Sequence, residues 1–344
     1  MIHKLKIEGF KSIKEQEFDF RGLTVLTGLN STGKSSVIQT LLLLSAFNSD
    51  NRLIHEYVKK YSNFRDIRNK YENSNEIKME VTGNDISAHL SINSSNSWNI
   101  GLLSESNKLT FEKNIFYISS NRVGPEDIAK YDENNKFGIE GEYVFGFFEQ
   151  KRNEPIEEAL IKDNSSFTLA TQLNYWFQYI LDFDLNLKTE SVTADIVRVT
   201  FDCDGLDNLS PFNVGAGNSY LAKILIMGLS CTKGNILIVE NPEIHLHPKA
   251  QSKLADFFVF LQNASIQVIV ETHCEHFINK LRHNVYKKKL ESNDIVIYYK
   301  PSIQGMFEKI SINANGHFVD DEKSEISFPS GFFDSTLSEL LEIM

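Results

Sequence analysis

Hydrophobic and polar residues alternate in short stretches at the start of the chain, and this pattern predicts strands before any helix. Residues 4–9 and 16–20 alternate, whereas residues 23–27 form a nearly continuous apolar run, as in a strand buried on both faces. The third stretch leads through a glycine-containing loop into residues 36–47, whose apolar side chains fall on most faces of a helix. The first fifty residues therefore predict strand, glycine loop and helix in that order.

The next part of the chain is more polar but keeps a strand pattern. Alternating stretches at 77–81, 86–92 and 98–103 predict an antiparallel meander that follows a short helical excursion. Residues 115–118 are apolar on both faces and predict a return to a central strand.

Residues 126–212 carry the weakest pattern. A helix over 167–181 and strands near residues 185 and 196 are predicted, and we interpret the segment as an insertion beside the main sheet. It would separate an N-terminal part, residues 1–125, from a C-terminal part, residues 213–344.

Strands and helices alternate again after residue 213, which implies a mostly parallel sheet covered on both faces. The predicted elements are a small-residue loop at 213–219, a helix at 220–229, a strand at 235–239, a helix from 248 to 260, a strand at 266–270, two strands within 295–312 and a terminal helix at 333–344.

Composition narrows the class of protein. The chain has 344 residues, 41% of them hydrophobic, and its net charge of −11 opposes contact with a phosphate backbone unless basic residues gather on one face. Its three cysteines lie far apart, so neither a disulfide framework nor a structural zinc site is predicted. No stretch resembles a signal peptide or a spanning helix, which predicts a cytoplasmic protein that does not enter a membrane.

The strongest motif is the segment from Gly28 to Ser35, which fits G-x-x-x-x-G-K-[ST] between a predicted strand and a predicted helix. Backbone amides of such a loop surround phosphates, the lysine reaches the β- and γ-phosphates and the hydroxyl holds magnesium. The predicted cofactors are ATP and Mg²⁺. The predicted binding residues are Asn30, Ser31, Thr32, Gly33, Lys34, Ser35 and Ser36.

Three residues at predicted strand ends are candidates for the chemistry. Glu240 ends an apolar strand, and we predict that it holds magnesium together with Ser35, directly or through water. Glu243 could orient or deprotonate an attacking water, or it could cap the helix that begins near Pro248. His273 follows the next strand and is either a donor to the γ-phosphate or a structural residue.

Two further clusters, a histidine pair and a basic patch, resemble functional sites, but a structural role is favoured for both. His245 and His247 form a pair, but a catalytic zinc needs at least three protein ligands and no third is visible. The lysines at 287–289, with Lys280 and Arg282 nearby, form the densest basic patch. A solvated helix face is favoured there over a nucleic-acid contact because no aromatic residues are interleaved.

Taken together, these motifs resemble the ABC-type ATPases of the SMC, RecF and OLD group, in particular the small OLD-like AAA ATPases of bacteria. The resemblance covers both ends of the chain and the middle poorly. It is carried by residues 6–12, 28–36, 215–219, 238–248, 271–273 and 331–334. It implies an α/β P-loop NTPase of the ABC-ATPase type, with a mostly parallel core sheet flanked by helices, an antiparallel β subdomain and a helical insertion.

The resemblance also implies a mode of action. Two heads of such ATPases sandwich ATP, so that Gly217 and Ser219 would contact the γ-phosphate bound by a partner subunit, and His273 would be the switch histidine. The acids depart from the usual pattern, because Glu240 takes the first place and Asn241 the second, where the catalytic base normally stands. An asparagine cannot accept a proton, so either Glu243 serves as base or hydrolysis is slow and the protein is an ATP-gated switch.

The expected function follows from that comparison. OLD nucleases continue into a Toprim nuclease domain, whereas this chain ends about 70 residues after His273, so any nuclease is expected on another chain. The arrangement resembles anti-phage systems such as Septu, where an ATPase of this class works with an HNH nuclease. We expect an ATP-dependent homodimer or higher oligomer that gates a separately encoded effector in anti-phage defence.

Other classes remain as alternatives. A RecF-like repair ATPase would bind duplex DNA directly, and this version predicts salt-sensitive DNA binding by the chain alone. Residues 48–212 contain no sustained heptads, which excludes SMC proteins with long coiled coils. A transporter subunit is disfavoured because residues 8–12 and 245–248 resemble the OLD side of the group. A small-molecule kinase is disfavoured because it would need a phosphate-acceptor pocket and would not need a signature loop or a switch histidine.

Overall fold

The N-terminal pattern forms the predicted strands. The computed structural model describes residues 1–47, 49–61, 63–84, 86–102 and 108–329. Strands β1 (Ile2–Phe10) and β2 (Ile13–Asp19) pair antiparallel, and β3 (Leu23–Gly28) follows directly. The glycine loop then leads into helix α1 (Lys34–Ala46), almost all of whose residues are buried. The predicted order of strand, loop and helix is confirmed.

The polar stretch that follows builds a second layer. Two short helices, α2 (Arg52–Val58) and α3 (Phe64–Ile67), precede the strands β4 (Glu76–Gly83), β5 (Ser87–Asn93) and β6 (Trp98–Leu102). Strands β4, β5 and β6 join β1 and β2 in a five-stranded antiparallel sheet in the order β2-β1-β4-β5-β6. The predicted excursion and meander are therefore confirmed.

The middle of the chain contains a sheet as well as helices. Its elements are β7 (Ile115–Ile118), β8 (Ile128–Lys130), α4 (Val144–Lys151), α5 (Leu169–Leu181), β9 (Leu185–Ser191), β10 (Ile196–Cys203) and β11 (Leu206–Leu209). Strand β10 pairs antiparallel with β8, β9 and β11. The helix predicted over 167–181 and the strands predicted near residues 185 and 196 form α5, β9 and β10, and the short strands β8 and β11, which were not predicted, complete a small sheet beside the helices.

The C-terminal part alternates strands and helices as predicted. Its elements are α6 (Ala216–Leu229), β12 (Ile236–Glu240), α7 (Pro248–Asn263), β13 (Gln267–Glu271), α8 (Glu275–Tyr286), β14 (Ile295–Lys300), β15 (Glu308–Ile312) and β16 (Phe318–Val319). The helix predicted over residues 333–344, and the motif at 331–334, lie outside the described residues. No helix in the described part of the chain has the length and hydrophobicity to cross a bilayer.

The central sheet has seven strands in the order β16-β15-β14-β3-β13-β12-β7. The five strands from β14 to β7 are parallel, and β15 and β16 add an antiparallel end. Alternate residues of each parallel strand point into two separate cores. One core contains α1 and the antiparallel sheet, and the other contains helices α4 to α8. The predicted mostly parallel sheet flanked by helices is confirmed.

The segment Ile115–Ile118 does not have its predicted place in the sheet. It was predicted as a central strand, but β7 is the last strand of the central sheet as described. Its four residues are all buried because Phe116 and Ile118 pack in one core while Ile115 and Tyr117 pack in the other. An apolar pattern on both faces reports two covered faces, and it says nothing about how many neighbours a strand has.

Candidate functional site

Parallel strands bring their carboxyl ends to one edge of the sheet, and there the glycine loop leaves β3. Gly28 has a φ of 133° and Gly33 a φ of 111°, both in the region that favours glycine. A Cβ atom on Gly28 would collide with the backbone of Lys300, and one on Gly33 would collide with the hydroxyl of Ser12. The loop is therefore held between β14 and the turn after β1.

Lys34 lies buried at the start of α1 and holds the loop from inside. Its ammonium donates to the carbonyl oxygens of Gly28, at 3.2 Å, and Leu29, at 2.7 Å. Burial lowers the pKa of this lysine, and the negative charge of Glu271 opposes that shift. The other predicted binding residues form the same loop and the first turn of the helix, namely Asn30, Ser31, Thr32, Gly33, Ser35 and Ser36.

The first turn of α1 is free to receive an anion. Its N-cap residue is Gly33, which supplies no capping side chain, and the turn contains no acidic residue. The first amide groups of any helix have no partner within the helix, and the helix dipole favours negative charge at this end. With the ammonium of Lys34 close by, this end of α1 can bind phosphate groups.

The acid nearest the loop is Glu271, which the sequence analysis did not identify. Strand β13 lies between β3 and β12, so Glu271 ends the strand next to the loop and accepts a hydrogen bond from the Ser35 hydroxyl at 3.2 Å. Glu240 lies in register beside Glu271, one strand further away, and accepts from the amide of Ser120 at 3.1 Å. The predicted pairing of Ser35 with Glu240 therefore becomes a pairing with Glu271, and Glu240 takes the next place.

Several buried oxygen atoms at this edge have no hydrogen-bond partner among the described residues. An orphaned oxygen costs free energy unless a ligand, a cation or water satisfies it. These atoms are Thr27 Oγ1, Asn241 Oδ1, Glu243 Oε2 and Glu271 Oε2. A hydroxyl, an amide oxygen and carboxylates are the donor chemistry that Mg²⁺ takes, with phosphate oxygens and water completing its shell.

The protein groups at this edge do not form a metal cage on their own. Within the described ranges, no three His, Cys, Asp or Glu side chains lie close enough to hold a metal. Magnesium bound with a nucleotide needs only one or two carboxylates from the protein, so the set fits that case. The pair suggested at 245 and 247 has other contacts: His245 stacks on Tyr220 and His247 caps helix α7.

Burial changes the protonation of two residues beside the loop. The pKa of Glu271 is raised to about 7, first by burial and then by the charge of Glu240, while Lys34 opposes the shift. The pKa of His273 is lowered to about 4 by burial and by the charge of Lys34. At neutral pH His273 is therefore uncharged and can donate one hydrogen bond, and Glu271 is shared between its two forms.

Glu243 links the ends of two strands. Its Oε1 accepts from the backbone amide of His273 at 3.0 Å, while Oε2 is one of the orphaned oxygens. Burial raises its pKa, so it holds a proton more readily than an exposed glutamate does. The alternative role as a helix cap is not observed, because α7 is capped by His247.

A second residue that the sequence analysis missed is Arg122, in the loop after β7. Its guanidinium donates to the carbonyl oxygens of Glu240 and Asn241, each at 2.8 Å, and lies 5.2 Å above the ring of Tyr220 in α6. Burial lowers its pKa to about 10. Arg122 thus fixes the turn that carries Asn241, whose φ is 42°, and connects it with α6.

The loop before α6 is mostly exposed, whereas the two predicted contact residues that follow it are not. Gly217 and Ser219 are buried inside the helix, and Gly217 packs against the backbone of His245. The exposed residues of this segment are Phe212, which is 64% exposed, Asn213 and Gly215. The contact of Gly217 and Ser219 with a nucleotide on a second subunit stays a prediction.

Comparisons with known proteins agree with this geometry. Residues 23–279 match the sequence profile of the family described as AAA domain, putative AbiEii toxin, Type IV TA system. No protein of curated description matches the chain significantly.

Solved structures show the fold. An SMC head bound to the C-winged helix domain of ScpA is 13% identical, with a TM-score of 0.57 over 91% of this chain and 97% of that one. An SMC head with an extended coiled coil, derived from Pyrococcus furiosus and bound to the C-terminal domain of ScpA, is 11% identical, with a TM-score of 0.54 over 99% of both chains. At such identities the likeness establishes the fold alone, which is that of ABC-type ATPase heads.

Proposed function

The chain belongs to the AAA-domain family that residues 23–279 match and has the fold of SMC heads; from this premise we propose that it is an ATPase that binds ATP with Mg²⁺ at the glycine loop and hydrolyses it through Glu243. The observation that carries the proposal is the group of orphaned carboxylate oxygens beside an uncapped helix end and a buried lysine. A cation and its water molecules would satisfy these oxygens.

The proposed phosphate-binding groups are Lys34 and the backbone amides at the start of α1. Lys34 exchanges its two backbone carbonyl partners for β- and γ-phosphate oxygens, and the free amides of α1 donate to the same groups. Magnesium supplies charge neutralisation on the phosphates, and Ser35 and Glu271 would hold it, with Glu240 one strand away. Binding a cation lowers the pKa of Glu271, since the carboxylate form is the one that coordinates.

Glu243 is the residue best placed to receive a proton from water. Its raised pKa and free Oε2 suit a general base, and the amide of His273 fixes its other oxygen. Asn241 can orient the water through Oδ1 but cannot take its proton. A neutral His273 can donate to the γ-phosphate. Hydrolysis then leaves ADP and phosphate in the site and the water proton on Glu243.

We further propose that nucleotide binding controls self-association and a partner protein. The SMC heads to which the fold is similar are bound to domains of a separate protein, ScpA. In this chain Phe212, Asn213 and Gly215 form the exposed entrance to α6, the helix that contacts Arg122. A second subunit or an effector at this entrance would reach the turn that carries Asn241 through Arg122. We propose that the effector is a separately encoded nuclease and that the system acts in anti-phage defence.

The test combines hydrolysis with mass in solution for wild type, Lys34→Ala, Glu243→Gln and Glu271→Gln, with the exposed Glu322→Gln as matched control. We expect Lys34→Ala to lose hydrolysis, Glu243→Gln to lose it by about a hundredfold while ATP stabilises a larger oligomer, and Glu322→Gln to resemble wild type. Equal hydrolysis in wild type and Lys34→Ala would overturn the site. Salt-sensitive stimulation by duplex DNA would replace partner control with a direct role on DNA, as in RecF.

A further inference from the structure

A groove lies at the edge of the central sheet opposite the glycine loop. Helices α7 and α8 both begin near the carboxyl ends of the strands, so their last turns meet at the other edge. There the end of α7, the turn after α8 and the outer face of α5 enclose a cavity of about 690 Å³. This volume falls in the range of small-ligand sites, roughly 300–1,000 Å³.

The charge of this groove contrasts with that of the chain. Lys162, Lys288 and Lys289 line it, all three are exposed, and none makes an ion pair within the described part of the molecule. Three uncompensated lysines around one cavity are notable in a protein of net charge −11. Lys288 also adopts a φ of 56°, where glycine or asparagine is the easier choice. The groove is therefore suited to an anion.

Aromatic rings form one wall of the same groove. Tyr175 and Tyr179 lie one helical turn apart on α5, with ring centroids 6.5 Å apart and planes within 6° of each other. Phe260 of α7 lies beneath the ammonium of Lys162, at 4.8 Å. The indole nitrogen of Trp176 is buried and has no hydrogen-bond partner among the described residues. Flat rings beside ammonium groups are the combination that binds bases and phosphates together.

The one acidic residue that lines the groove, Asp256, does not prevent an anion from binding there. Asp256 is nearly buried, and its carboxylate accepts from the hydroxyl of Tyr179 at 2.5 Å and the amide of Asn284 at 2.8 Å. Lys280 forms an ion pair with it at 3.1 Å. Its charge is thus compensated by Lys280, so Asp256 does not neutralise the three lysines that line the groove.

We propose that this groove binds nucleotides, with a base stacked on Tyr175 and phosphate groups on Lys288, Lys289 and Lys162. The sequence disfavoured a nucleic-acid contact at 287–289 because no aromatic residues are interleaved there. The fold supplies them from α5, more than a hundred residues earlier in the chain. The same chemistry is present in a single-stranded nucleic acid and in a free nucleotide, and the inference is independent of the ATP site.

The experiment measures fluorescence anisotropy of a labelled oligothymidylate of about 15 nucleotides, and competition by AMP, with the full chain carrying Lys34→Ala so that the glycine loop does not contribute. In that background the variants are Lys288→Glu/Lys289→Glu, Tyr175→Ala and Tyr175→Phe. The matched control is Lys70→Glu/Lys113→Glu, which changes the net charge equally at two exposed lysines outside the groove.

We expect at least a tenfold loss of binding, as an order of magnitude, for the double charge reversal and about tenfold for Tyr175→Ala, while Tyr175→Phe and the control bind as the parent does. Binding of the oligonucleotide identifies a strand as the ligand, and binding of AMP alone identifies a free nucleotide. Binding of neither, or equal loss in the control, overturns the proposal. Binding of polyglutamate that persists in Tyr175→Ala would also overturn the proposal, because it would identify the groove as a site for an acidic protein segment.

Discussion

The ligand edge of the central sheet and the inserted segment satisfy their buried polar groups in opposite ways. At the edge, oxygens of Thr27, Asn241, Glu243 and Glu271 are buried and unpartnered. In the insertion, the fully buried Gln172 uses its whole side-chain amide: Oε1 accepts from two backbone amides of the segment 162–163, and Nε2 donates to two backbone carbonyls.

This difference separates a binding surface from a scaffold. Buried polar groups are nearly always paired in folded proteins, so at a cluster of exceptions a ligand, a cation or ordered water is expected. Among the described residues of the insertion, the indole nitrogen of Trp176 is the one buried side-chain polar atom without a hydrogen-bond partner, so the insertion leaves fewer such atoms for a ligand than the edge does. Variants at the edge should therefore change activity more than stability, and variants in the insertion the reverse.

The largest effect is expected at Arg122. Replacing it by glutamine removes the two hydrogen bonds to the carbonyls of Glu240 and Asn241, so the turn beside Glu243 loses its position. We expect kcat for ATP to fall about a hundredfold with little change in KM, measured by steady-state kinetics. Arg122→Lys keeps the charge but not the two-pronged geometry and should recover little. Normal kcat in a folded Arg122→Gln would show that the turn needs no such support.

The next effect tests the scaffold. Gln172→Leu leaves two amides and two carbonyls of the segment 162–166 without partners, and we expect the free energy of unfolding to fall by about 3 kcal/mol in a urea titration. Hydrolysis per folded molecule should not change. Gln178→Leu, at an exposed position of the same helix, is the control and should cost little. If hydrolysis falls with stability, the insertion is part of the site.

A smaller effect depends on pH at Glu271. Because burial raises its pKa from 4.5 to about 7, the folded protein keeps a proton that the unfolded chain releases within this window. Without nucleotide or magnesium, the stability of the wild type relative to that of Glu271→Gln should therefore fall as the pH rises from 4.5 to 8, because the opposite contribution of His273 is common to both proteins. The variant should be more stable by about 2 kcal/mol at pH 8, and the advantage should vanish near pH 4.5. Parallel stability curves for the two proteins would refute the shift.

The smallest effect concerns the start of α5. Thr168 caps this helix by accepting from the amide of Thr171, and Thr168→Ala should lower the free energy of unfolding by about 1 kcal/mol, measured by urea titration. Thr168→Ser keeps the hydroxyl and should retain most of the stability. A change in hydrolysis from this variant would again contradict the division between edge and scaffold.

Much of the fold could be predicted from sequence because its signals are local. The apolar runs that became β3, β12 and β13, the glycine loop and the buried α1 all follow from patterns of a few residues. The insertion was harder to predict, because β8 is a strand of three residues that pairs with the distant β10, and β11 is a short strand of mostly exposed residues.

The site was predicted less completely because it depends on strand order. Glu240 and Glu271 give the same signal, an acid after an apolar strand, but only the order β3-β13-β12 shows that Glu271 contacts Ser35. Arg122 gives no signal beyond following a buried strand, since its partners are backbone carbonyls, which any sequence supplies. The burial of Ser219 could not be predicted from its motif either, because it depends on how helix α6 packs in the core.

Strand β7 is the last strand of the central sheet as described, and the insertion begins a few residues after it. A segment attached there can lengthen, shorten or be exchanged without crossing a strand or shifting the register of the sheet. Evolution can therefore vary this segment while the nucleotide edge stays under its own constraint. Because α4 and α5 share a hydrophobic core with α6 to α8, such variation is expected at the exposed loops of the segment, while its buried face changes as slowly as the rest of the core.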